Sequence, residues 1–301
     1  MTARAPQDGL ERRRGALAPA LRAQIEALAA RVRQYDGIES LSEAPLLALA
    51  AGDPGQRHWL AWQDGRLAGY AQREAGGSAA ELAVDPDWRG RGLGLALARA
   101  LAQDSPEARL WAHGDLGAAR HVAAALRLAP VRELWELRSQ RRARPAGRAG
   151  AGIRIRAFDP GRDRSAWVAL NAAAFASHPE QGRLTLADLE QRMAQPWFDP
   201  AGLLVAEQNQ TARLAGYVWT KIEANAGEIY GIGVDPAAQG RGLGSALLEA
   251  GLRHLESRGI GEVRLFVEAD NAPAIAAYRR QGFKLVRRDV QYGFQTPAAT
   301  A

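Results

Sequence analysis

The stretch Val84–Ala98, VDPDWRGRGLGLALA, returns 150 residues later as Val234–Leu248, VDPAAQGRGLGSALL. Val, Asp, Pro, Gly, Arg, Gly, Leu and Gly recur in the same order, which marks a duplicated unit. At 301 residues the chain is long enough for two domains that each bury a core. In the second copy GEIYGIGV leads into the turn as a strand, and SALLEAGLRHLESRG leaves it as an amphipathic helix ending at Gly259. Such a junction gathers backbone N–H groups and a positive helix end around one point, where an anion fits. Gly240, Gly242 and Gly244 let the backbone approach a phosphate closely, and Arg241 adds charge at the rim. A dinucleotide fold is excluded because no acidic residue closes a following parallel strand about 20 residues on, and a P-loop because no Gly-Lys-Ser/Thr is present.

Outward from that turn, the second half reads β-α-α-β-β-β-α-β-α-β-β. Its elements are the strand IRIRAF, helices DRSAWVALNAAAF and TLADLEQRMA (capped by Thr185), and antiparallel strands GLLVAEQ and LAGYVWTKI. After the turn come EVRLFVE, the helix NAPAIAAYRRQG, and two final strands, FKLVRRD and VQYGF. The first half follows the same order, with helices ALRAQIEALAARVRQYDG and APLLALAAG and a hairpin through Asp64-Gly65. Between them, Arg138–Gly152 is rich in Arg, Ala, Gly and Pro and reads as an exposed linker. The expected division is 1–140, a linker at 141–152, and 153–301.

Composition excludes several function classes. Hydrophobic residues make up 47% and charged ones 24%, and no apolar run approaches the ~20 residues of a membrane span. Cysteine is absent, so disulfides, thiolate metal sites and a cysteine nucleophile are all excluded; no metal is expected. The net charge of +6 is nearly all arginine, since Lys221 and Lys284 are the only lysines. It reads first as compositional bias in a chain rich in Ala, Gly, Pro and Arg; beyond that it suits an anionic small ligand better than nucleic acid, because no aromatic-spaced basic motif accompanies it. Arg12–Arg14 precede a segment broken by Arg22, Glu26 and Arg31, which does not read as a signal peptide; a cytoplasmic setting is expected.

Taken together, V-D-P, Q-G-R-G-L-G, a long helix, a strand and N-x-x-A-x-x-x-Y-x-x-x-G-F (Asn271–Phe283) resemble the GCN5-related N-acetyltransferase family, GNAT. The resemblance implies an α/β chain of two tandem GNAT domains, each a mixed, mostly antiparallel sheet flanked by helices. It also implies acetyl-CoA as cosubstrate. Ile232, Gly233 and Val234 are then the pantetheine-facing residues. Gln239, Gly240, Arg241, Gly242, Leu243, Gly244 and Ser245 form the pyrophosphate loop, and Asn271, Ala272, Pro273, Ala274, Ile275 and Ala276 flank the far side.

HPEQG (His178–Gly182), PWFDPAGL, YVWTKI and FVEADNAPAIAAY are similar to a tandem branch of that family. This branch acetylates the cysteine amine of cysteinyl-glucosaminyl-inositol. The resemblance makes Glu228 the general base and Tyr278 the general acid, with oxyanion support from a strand N–H near Val234. It places Glu43, Glu180, Lys221, Glu228 and Phe266 around the acceptor; a tyrosine is usual where Phe266 stands. Carboxylates and lysine suit an amino-sugar conjugate. The partner implied is this small thiol-sugar, with no nucleic acid and no membrane, bound by a monomer.

In the first half the offset of 150 sets Ser78 against Glu228, and the later helices set Ala123 against Tyr278 and Leu116 against Asn271. The first copy thus lacks both proton-transfer groups. It keeps Leu82, Ala83, Val84, Arg89, Gly90, Arg91, Gly92, Leu93 and Gly94, enough to hold acetyl-CoA without using it. Competing readings are a GNAT enzyme for protein N-termini or aminoglycosides, and a non-enzymatic acetyl-CoA-binding regulator.

Overall fold

The computed structural model describes residues 8–140, 152–176, 178, 181–223 and 226–294. It divides into two compact units, Met1–Leu134 with Arg288–Ala301, and Trp135–Arg287. The division does not follow the linker, because each unit takes one strand end from the other half of the chain.

The first unit contains β1 (Gly9–Arg14), α1 (Pro19–Asp36), α2 (Glu43–Ala51), β2 (Arg57–Gln63), β3 (Arg66–Arg73) and β4 (Ala79–Val84). It continues through α3 (Leu93–Asp104), β5 (Arg109–Ala112), α4 (Gly117–Ala125) and the start of β6 (Leu128–Ser139). Its strands lie in the order β1-β2-β3-β4-β5. Pro19 opens α1 and left-handed Gly37 closes it, while Ile25, Leu28 and Val32 recur at helical spacing and are buried beneath. On the other sheet face, Leu97, Ala98 and Leu101 of α3 pack with Trp59, Ala71 and Ala80.

The second unit contains β7 (Ile153–Ala157), α5 (Arg164–Ala174), α6 (Leu186–Met193), β8 (Leu203–Gln208), β9 (Leu214–Glu223) and β10 (Ala226–Val234). It closes with α7 (Leu243–Ser257), β11 (Val263–Glu268), α8 (Ala272–Arg280) and the start of β12 (Lys284–Phe294). Its order is β11-β10-β9-β8-β7, with the end of β6 beside β11. Thr185 caps α6 through a reciprocal capping box with Asp188, as its sequence suggests. Leu243, Leu247 and Leu255 of α7 pack with Val218, Ile229, Leu265, Tyr278 and Phe283 to form the main core.

Several local expectations change. Gly9–Arg14 is a strand paired to β2 in antiparallel register, although its run of arginines carries no alternating pattern. FKLVRRD and VQYGF form one continuous strand, β12, because no turn residue separates Asp289 from Val290. Arg138 and Ser139 belong to β6 rather than to the linker, and residues 141–151 of the linker lie outside the described residues. α7 begins at Leu243, immediately after left-handed Gly242.

Candidate active site

β10 and β11 run parallel, but register only over Gly227–Ile229 against Val263–Leu265. Beyond Ile229, β10 stays paired with β9 while β11 diverges, so a fork opens along Tyr230–Val234. The fork coincides with a bulge: Ile229 opposes Thr220 and Gly231 opposes Trp219, which leaves Tyr230 as the extra residue. Ile232, Gly233 and Val234 therefore line the fork with one edge of their backbone turned away from β9. Gly233 has no room for a side chain, since an added Cβ would stand 2.7 Å from the Tyr217 ring.

Asp235 turns the chain by accepting from the Ala237 N–H at 2.9 Å, and Gln239 folds back to donate to the Val234 carbonyl at 3.2 Å. Gly240 (φ +75°) and Gly242 (φ +80°) occupy the left-handed region that favours glycine. The N–H groups of Leu243, Gly244 and Ser245, in the first turn of α7, have no intrahelical acceptor. With Arg241 exposed beside them, these donors suit a pyrophosphate. Asn271 caps α8 by accepting from the Ala274 N–H at 3.2 Å, and of Ala272, Pro273, Ala274, Ile275 and Ala276 only Ile275 is buried. The residues present fit acetyl-CoA: a fork for an extended arm leads to a donor-rich turn for its phosphates.

The two sheet faces carry different chemistry. Strand alternation sends Ile229 into the core under α7 and Glu228 to the opposite face. Glu228 is 9% exposed; it opposes Lys221 on β9 and Arg264 on β11, and Arg264 Nε donates to its Oε2 at 2.8 Å. Lys221 is 7% exposed rather than solvated, with its Nζ 2.9 Å from Glu223 and 4.8 Å from the Trp197 ring centre. Tyr230 adds a second ring face at 5.6 Å, and its hydroxyl accepts from Arg192 Nε at 3.0 Å. Phe266 follows Arg264 by two residues on β11, and the guanidiniums of Arg264 and Arg287 lie 5.9 and 5.8 Å from its ring centre.

Tyr278 lies on the α7 face, packed edge-to-face on Phe283 in the core. Burial pushes its hydroxyl up to about 12, so the group keeps its proton at neutral pH. Base and acid candidates thus lie on opposite faces of the sheet. Of the remaining predicted residues, Glu43 opens α2 in the first unit and is half-buried, and Glu180 lies outside the described residues. Sequence reasoning missed Arg264, Arg192, Trp197 and Tyr230, because their roles depend on cross-strand register and on an aromatic cluster assembled from separate elements.

The first unit repeats the fork without its chemistry. β4 and β5 register at only two positions, Ala79 with Arg109 and Ala80 with Leu110, before they part. Its β3–β4 register runs unbroken from Gly69–Val84 to Arg73–Ala80, so the bulge is absent and Ala79, not Ser78, occupies the place of Glu228. Ala123 is buried where the second unit has Tyr278. Leu82, Ala83 and Val84 lie along β4, and Gly90 and Gly92 keep positive φ ahead of Leu93 and Gly94. Arg89 donates to the Val84 carbonyl at 3.1 Å and to both carboxylate oxygens of Asp36 at 2.7 Å, which raises its pKa further; Arg91 stacks on Trp88. On the α1–α2 face, Glu81 accepts from Ser42 and sits 3.1 Å from His113, whose other ring nitrogen is 3.1 Å from Asp289.

Two forks, each ending in a glycine turn and a helix, define the class of a tandem acetyltransferase. The GNAT acetyltransferase family matches residues 167–283, and a GNAT acetyltransferase domain matches residues 54–128. The mycothiol acetyltransferase of Cellulomonas flavigena is 45% identical over 93% of this chain and 87% of its own length. That of Thermobispora bispora is 46% identical over 89% and 94%. Among solved structures, a tandem GNAT protein from the clavulanic acid biosynthesis pathway shares the fold at TM-score 0.68 and 20% identity, covering 94% of this chain and 98% of its own. The chain belongs to the mycothiol acetyltransferase family, a tandem branch of the GNAT enzymes. Among the described residues, no helix is long and apolar enough to cross a membrane, and no cluster of three metal-ligating residues is found.

Proposed function

We propose that the second unit transfers acetyl from acetyl-CoA to the cysteine amine of cysteinyl-glucosaminyl-inositol, forming mycothiol. The observation that supports this is a buried carboxylate where β10 and β11 part, with a buried, protonated tyrosine on the other face of the sheet, in a chain whose relatives are named mycothiol acetyltransferases. Bound acetyl-CoA supplies an activated thioester carbonyl. Ile232–Val234 hold the extended arm by backbone pairing, and the turn Gln239–Ser245 holds the phosphates. Glu228 takes the proton from the attacking amine, directly or through a water, and Tyr278 returns one to the departing sulfur. A backbone N–H near Val234 stabilises the oxygen of the carbonyl under attack. Lys221, Glu228 and Phe266 line the acceptor side. The first unit, with Ala79 and Ala123 in the two key places, is a non-catalytic holder of acetyl-CoA.

The reading is tested by incubating the protein with acetyl-CoA and, in parallel, cysteinyl-glucosaminyl-inositol, aminoglycosides and peptides while following free CoA. Release is expected with the cysteinyl conjugate. Release only with a peptide or aminoglycoside would replace it as acceptor, and no release with any of them would favour a binding protein.

A further inference from the structure

Glu228 is the middle member of a charged row that crosses three strands, Lys221 on β9, Glu228 on β10 and Arg264 on β11. The geometry points to Arg264 as a positioning residue, which fixes the Glu228 carboxylate beside the fork for the incoming amine. This rests on the reading of Glu228 as general base.

Parallel register brings the pair together. Glu228–Arg264 is the second of the three matched positions, one residue before the strands part, so the bond is made at the edge of the fork. The contact is a charge-assisted Nε–H donation to Oε2 at 2.8 Å, with side-chain exposures of 12% for Glu228 and 31% for Arg264. Such a half-buried pair is screened less than a surface one. Other groups share this face: Lys221 with its partner Glu223, Tyr230 with Arg192 of α6, Glu268 at the end of β11 with His178 at 3.4 Å, and Arg287 across Phe266. Arg264 also lies loosely over Phe266, at 5.9 Å from its ring centre. The first unit supplies an internal contrast, because Arg109 keeps the register of Arg264 opposite Ala79, where there is no carboxylate to orient.

A neighbouring guanidinium favours the charged carboxylate and lowers its pKa, commonly by about 1 to 3 units. Removing it moves that pKa up, and with it the pH at which the base becomes competent. The experiment follows kcat/KM against pH for wild type, Glu228→Gln, Arg264→Met and Arg264→Lys in the full chain, with saturating acetyl-CoA and the cysteinyl conjugate. In wild type the rate falls on the acid side as both the acceptor amine and Glu228 gain protons, and the amine's share is fixed separately by titrating the free substrate. Glu228→Gln is expected to abolish the Glu228 limb and leave only that of the amine; if the full two-proton fall survives, Glu228 is not the base and the proposal falls with it. If the limb is lost, Arg264→Met is expected to move it upward by about 1 unit or more and to recover much of its rate above the shifted limb. Arg264→Lys keeps the charge without the planar donor edge, so its limb stays near the wild-type position while the rate falls. An unmoved limb in Arg264→Met, or a loss by one factor at every pH, overturns the role of Arg264 and leaves that of Glu228 intact. Because Arg264→Lys is the milder change, its limb can still be read if Arg264→Met does not fold.

Discussion

At the scale of single residues, the deciding contrast is between Glu228 and Tyr278, two buried titratable groups with different neighbours. Glu228 has a cation on either side in its row, whereas Tyr278 sits among apolar side chains that favour its neutral, proton-donating form. Glu228→Gln is expected to lower kcat by about 10² to 10⁴, the usual worth of general-base catalysis, and Tyr278→Phe by about 10². An unchanged rate of CoA release removes either residue from its role.

His113 offers a second test at this scale. Burial works against its charge, yet hydrogen bonds with Asp289 and Glu81 outweigh that and hold the imidazolium up to about 10. Because the folded value lies above the ordinary 6.5, this stabilisation is full below about pH 6.5 and is lost as pH rises towards 10. The stability gap between wild type and His113→Gln, measured by urea unfolding, should therefore be larger at pH 6 than at pH 9.5. An equal gap at both would mean that His113 is not charged in the folded protein.

At the scale of elements, the glycine turns and the bulge set the site. Turn, helix and capping residues were legible in the sequence because they obey local rules: Asp-Pro starts a tight turn, glycine takes positive φ, and Leu243, Leu247 and Leu255 repeat on one helix face. The bulge at Tyr230 was not legible, since nothing within GEIYGIGV marks which residue goes unpaired; that depends on β9. Its absence from β4 also explains why a constant offset pointed to Ser78 when the register selects Ala79. Gly242 gives a direct test. An alanine in its left-handed conformation costs about 1 to 2 kcal/mol. Gly242→Ala is therefore expected to raise KM for acetyl-CoA about fivefold to thirtyfold with little change in kcat. A fall in kcat at constant KM would mean that the turn acts on chemistry and not on cofactor grip.

At the scale of the whole molecule, the linker suggested two self-contained halves, yet each unit borrows a strand end from the other. Arg288–Phe294 complete the first unit: Val290, Gln291 and Tyr292 pair with β5, Val290 and Tyr292 are buried with Ala112 and Ala123, and Asp289 accepts from the Gly114 N–H at 2.7 Å. Ending the chain at Arg287 removes all of this, and burial of Val290 alone is worth about 1.5 to 3 kcal/mol. The truncated protein should melt at lower temperature, with the earliest proteolytic cuts falling within residues 8–134. An unchanged melt would show that the strand end is dispensable.

The sequence by itself determined the duplication, the phosphate-gripping turns, the helices that follow them and the imbalance of proton-transfer groups between the copies, because each is written in local spacing. Only the tertiary structure decided which residue is unpaired at the fork, that Lys221 and Arg264 flank Glu228, and which unit owns the final strand. Those features come from pairing between segments far apart in the chain, whose register is set by the packing of whole faces and not by any short motif.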